Sequence, residues 1–73
     1  MVYRILKSPP GYPEPYMVAV YESTEFGSCL GNLRNAAGSR FIATLQEARD
    51  LLPESAKRAP FEPEDQFLEL WVS

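Results

Sequence analysis

The sequence predicts a small α+β domain: an antiparallel sheet of three to five strands, packed on one face by a single short helix, in the order ββ(ββ)αβ. Three observations point there. Runs rich in β-branched and aromatic residues occupy 2–7, 16–23 and 66–72, and such side chains suit a pleated, half-buried surface. Only one segment, Leu45, Ala48, Leu51 and Leu52, repeats at the spacing of one helical face. Finally, 73 residues allow one core and no second, so residues 1–73 are expected to form a single domain.

The first strand is expected over Val2–Lys7, where Val2, Tyr3 and Ile5 favour extension and no breaker intervenes. Residues 9–15 then hold four prolines in seven positions; proline fixes φ and cannot donate to a ladder, so this stretch is a stiff connector. The second strand follows at Tyr16–Ser23, antiparallel to the first because neighbours in sequence commonly pair. Between Thr24 and Gly38 the glycines and asparagines recur too often for a long element. Two short strands, Leu30–Arg34 and Arg40–Ala43, around an Asn35–Gly38 turn fit better than a helix with Gly31 inside it.

Thr44 and Glu47 form a capping-box pair, with Thr44 placed to accept from the third helical amide. Pro53 limits that helix, since the residue before proline is biased away from helical geometry. One more turn is expected at Glu54–Lys57, started by Pro53. Gln66–Val72 closes the chain as a strand beside the first and antiparallel to it.

Composition narrows the chemistry. Cys29 is the one cysteine and histidine is absent, so neither an internal disulfide nor a zinc staple can reinforce so small a core. Pairing with another chain is the remaining reinforcement. The net charge of −3 argues against nucleic acid and anionic lipid as partners. The charge is uneven: residues 60–73 carry Glu62, Glu64, Asp65 and Glu69 with no basic group, whereas 31–59 are mildly basic. The start of the chain lacks the apolar run of a signal peptide or membrane span, so a cytoplasmic location without membrane attachment is expected.

No catalytic set stands out, and no cofactor or metal is expected. Cys29 lacks the imidazole that would stabilise a thiolate nucleophile, so it reads as a small structural residue. Glu62, Glu64 and Asp65 lack the glycine turn and terminal glutamate of a calcium loop. Residues 31–38 are glycine-flanked but are not followed by the Gly-Lys-Ser/Thr of a phosphate loop. Pro10–Pro13 has the spacing of a polyproline ligand, although stiffening a strand connection is its simpler use. Arg34 and Arg40, close to backbone turns, are the candidates for holding a ligand.

Alternation along the strands supplies the functional expectation. In the last strand Phe67, Glu69 and Trp71 form one row, and Leu68, Leu70 and Val72 the other. No strand has a clean polar face, yet one helix can shelter only one side of a sheet. The sequence therefore points to a non-enzymatic protein–protein interaction module, a homodimer or the companion of a larger protein. Trp71, Phe67, Tyr16 and Tyr3 are its expected interface, since aromatics dominate binding hot spots. The alternative is a small-molecule binder with a pocket between the sheet and the 24–40 loop, lined by Arg34 and Arg40.

Overall fold

The computed structural model describes residues 1–73 as β1 (Val2–Lys7), β2 (Tyr16–Tyr21), β3 (Gly31–Asn32), α1 (Leu45–Asp50), β4 (Lys57–Ala59) and β5 (Phe67–Val72). All five strands join one antiparallel sheet in the order β3-β2-β1-β5-β4. The expected α+β class and the antiparallel placement of the first, second and last strands are observed. No helix is long and apolar enough to cross a membrane.

β1 is the central strand, with the apolar strands β2 and β5 on either side of it. Val2 faces Tyr21 of β2 and Val72 of β5, and Ile5 faces Val18 and Glu69. The proline-rich connector is pinned at its neck, where Ser8 N–H donates to the Pro15 carbonyl at 2.8 Å. Within it, the Tyr12 ring stacks on Phe41 with centroids 4.8 Å apart.

α1 begins where the capping residue placed it. Thr44 Oγ1 accepts from Glu47 N–H at 3.1 Å, which satisfies one of the amides a helix start leaves open. The helix is only six residues long and buries one of them, Ala48. A side chain as small as alanine lets the helix axis come close to the sheet. There Ala48 joins Tyr3, Ile5, Val18 and Ile42 in the core, with Leu45, Leu51 and Leu52 packed around them. Ile5, Val18 and Ile42 are sealed from solvent completely; each such side chain contributes roughly 1.5–3 kcal/mol by burial.

Three local expectations need correction. Leu30–Arg34 and Arg40–Ala43 do not pair with each other as a hairpin. Both attach to β2 instead: Leu30 N–H donates to Val20 O, Leu33 N–H to Val18 O, and Ile42 bridges Tyr16. Between them the turn stands where expected, closed by Asn35 Oδ1, which accepts from Ala37 and Ser39 at 3.0 Å each. Gly38 at φ 82 supplies the left-handed residue this turn requires. Secondly, the extra turn at Glu54–Lys57 ends early, and Lys57–Ala59 forms the edge strand β4 against β5. Charged Lys57 and Arg58 suit an exposed edge, because they discourage further strand pairing.

The third correction decides which face each aromatic occupies. β5 pairs Glu69 with Ile5 but Phe67 with Leu6, so Leu68 is the extra residue of a β-bulge. A bulge places two residues opposite one and switches the alternation at that point. Phe67 therefore does not share a row with Glu69 and Trp71.

Candidate functional site

The helix-bearing face holds Tyr3, Ile5, Val18, Val20, Glu69 and Trp71. Glu69 is a carboxylate in the middle of an apolar layer, and only 3% of its surface is exposed. It survives there because donors surround it. Arg49, projecting from α1, reaches it with Nε at 3.0 Å from Oε1 and 3.1 Å from Oε2, and its Nη2 also donates to Oε2. The Trp71 indole Nε1 donates to Oε1 at 2.9 Å, and Arg58 Nη2 stands 3.8 Å from Oε2. Burial alone would push the Glu69 pKa up; the hydrogen bonds from Arg49 and Trp71 and the nearby arginine charges outweigh it. Its carboxyl is therefore held below the usual carboxylate range. Reciprocally, its bond to Glu69 raises the Arg49 pKa further. Every lone pair that matters is used, so the cluster reads as the tether of α1 to β5.

The opposite face has no helix. Along its central row Ala59, Leu70, Arg4, Ala19 and Asn32 are cross-strand neighbours. Leu6, Met17, Tyr21, Phe67 and Val72 surround that row and are all half-buried. Arg4 lies across it, with its two strand neighbours Ala19 and Leu70 buried beside it. Its guanidinium carbon is 3.5 Å from the centroid of the Phe67 ring and 4.0 Å from that of Phe26, between the two rings. Tyr21 stands 5.7 Å from the same carbon and meets Phe26 edge-on at 5.3 Å.

Positioning these rings takes special backbone. Phe26 itself sits at φ 51, in the left-handed region, a conformation that costs a residue with a Cβ about 1–2 kcal/mol. Phe67 follows a two-residue turn in which Asp65 has φ 43. There Glu64 and Phe67 exchange both backbone hydrogen bonds, at 3.0 and 2.7 Å.

Arg4 has no carboxylate. Both ion pairs of the chain belong to Glu69, and Arg4 Nε is buried with no acceptor. An unsatisfied buried donor costs about 1–3 kcal/mol. The stacking on aromatic faces returns part of this, on the order of 1–2 kcal/mol where water is excluded.

The expected interface residues are thus divided. Phe67 lies on the open face, whereas Tyr3 belongs to the core and Tyr16 and Trp71 pack against it. Arg34 and Arg40 do not converge. Arg34 Nη1 donates to the Gly38 carbonyl at 2.9 Å, inside its own turn, and Arg40 lies over Phe41 at 5.0 Å. No pocket lies between the sheet and that loop. The Cys29 thiol is exposed and donates to Gly31 O at 3.2 Å.

Two features of the open face were missed at the level of sequence. An arginine in a strand otherwise built of Val2, Tyr3, Ile5 and Leu6 was a readable signal for Arg4. Phe26, inside a loop, offered none. Neither family models, curated proteins nor solved structures match this chain.

Proposed function

We propose that the chain is a non-enzymatic protein-interaction module that docks a second copy of itself on the open face of its sheet. The observation that carries this is the half-buried set Leu6, Met17, Tyr21, Phe67 and Val72 around Arg4, on a face without a helix against which the loop residue Phe26 is laid. Aromatic residues, methionine and arginine are the types that enrich interface centres.

Charge supports a second copy as the occupant. The middle of the face holds an unpaired cation. Glu22 and Glu25, in the segment that carries Phe26, and Glu64 and Asp65, in the turn before Phe67, are exposed and form no ion pair. A two-fold interface uses the same patch twice and must be complementary to itself. A cationic centre flanked in the chain by segments bearing unpaired carboxylates supports that requirement.

The subunit folds without its partner in this reading. Its surface of 4710 Å² is close to the roughly 4,600 Å² of a folded monomer of this mass. In this proposal association is reversible and joins preformed subunits. Sedimentation velocity across the micromolar range tests it. The expected result is a concentration-dependent monomer–dimer boundary that Leu6→Glu or Met17→Glu shifts to monomer. A wild-type protein that stays monomeric at every concentration would overturn it.

A further inference from the structure

Arg4 is the one charged side chain laid across the apolar middle of the sheet that the chain does not neutralise. We infer that Arg4 is a preformed carboxylate receptor, and that its occupant is an exposed carboxylate of the second copy docked on the open face. This rests on the docking reading above, which supplies the occupant.

Four features lead to it. The buried charge of the sheet, Glu69, has Arg49, Trp71 and Arg58 as partners. Arg4 has rings only. Of its nitrogens Nε alone is sealed from solvent, which leaves the terminal pair as the reachable donors. The Phe67 and Phe26 rings, 3.5 and 4.0 Å from its guanidinium carbon, restrict where the fork can go before anything binds, and a preorganised donor loses less entropy on association. The rings also displace water from around the cation, and a carboxylate arriving at it is held more strongly in such surroundings than in open solvent.

The slot selects among anions. Two parallel N–H bonds in one plane match the geometry of a carboxylate. The net charge of −3, with Glu22, Glu25, Glu64 and Asp65 exposed in the segments that carry Phe26 and Phe67, opposes a free dianion such as phosphate. In a two-fold pairing those same groups of the second copy are the carboxylates at hand.

The test has two arms. In the first, sedimentation compares wild type with Arg4→Met, which keeps an unbranched stem on the sheet, and with Arg4→Lys. The inference expects Arg4→Met to weaken dimerisation at least tenfold and to flatten its salt dependence, with Arg4→Lys restoring only part. Thermal melts confirm that both variants are folded; if Arg4→Met is not, Arg4→Lys alone decides, because an unchanged lysine variant contradicts a forked receptor. Wild-type-like association of the Arg4 variants, with Leu6→Glu still monomeric, removes the receptor and leaves the docking face standing.

In the second arm the wild-type protein, diluted below association, is titrated with benzoate and with benzamide while the Arg4 Nε–H resonance is followed. A saturable shift with benzoate alone, absent in Arg4→Met, is expected. Equal responses to both probes overturn the receptor whatever the oligomeric state. Benzoate binding by a protein that never dimerises keeps the receptor and excludes the second copy as its occupant.

Discussion

Glu69 and Arg4 sit on neighbouring strands of one sheet, each in an apolar layer, and the chain treats them in opposite ways. Glu69, on the helix side, receives two donors from Arg49, one from Trp71 and the nearby charge of Arg58. Arg4, on the open side, receives only ring faces and keeps a buried nitrogen without an acceptor. A charge satisfied within its own chain organises the fold. A charge left without its counter-ion, on a face that no helix covers, is what the proposed docking would satisfy.

The two faces should differ most in what a lost side chain costs. Ile5 and Leu6 are adjacent in β1, but Ile5 is wholly buried under α1 and Leu6 is half-buried on the open face. Ile5→Ala should destabilise by about 3–4 kcal/mol and Leu6→Ala by about 1 kcal/mol, read from urea titrations of dilute protein. The first loss is large enough to unfold much of a population whose total stability is about 4–11 kcal/mol for this length. Equal losses at both sites would erase the distinction between a packed and an open face.

Next in size is the tether. Glu69→Gln removes the charge while keeping the shape, and should cost about 2 kcal/mol because Arg49 loses its ionic acceptor. The same group sets an acid limit. Since the Glu69 pKa is depressed on folding, its contribution is fully present above the unfolded value near ~4.3 and disappears as pH falls through the lower folded value. Denaturation midpoints should hold steady from neutral pH to about 5, then drop below about 4, and Glu69→Gln should reduce that drop. An identical acid profile in the variant would assign the loss to other carboxylates.

The smallest effect is expected at Arg4. Arg4→Met removes an unsatisfied donor together with its ring stacking, so the change in monomer stability should stay within about 0.5 kcal/mol of zero. A loss as large as that at Glu69 would make Arg4 a second structural tether.

How much of this was readable beforehand follows the range of each signal. The alternating strands and the Thr44 cap are local, and they stood where the sequence placed them. The end of the helix and the edge strand at Lys57–Ala59 were obscured because charged residues form a strand there only by pairing with Trp71 and its neighbours. The site was less legible than the fold, for one geometric reason. Side chains alternate regularly from Glu69 to Val72 but not across Leu68, where a bulge set by pairing with β1 moves Phe67 to the other face. That shift separated Phe67 from Trp71, Tyr3 and Tyr16 and brought it to Arg4. Phe26 arrives from a loop through a left-handed residue, and no periodicity foretells such a placement.

The most direct measurement is an NMR dilution series that follows each assigned resonance from dilute to concentrated protein. The open-face account predicts concentration-dependent shifts clustered at Arg4, Leu6, Met17, Tyr21 and Phe67, with the Trp71 indole N–H, bonded to Glu69, unmoved. Shifts centred instead on Trp71 and α1, or a spectrum indifferent to concentration, would contradict it.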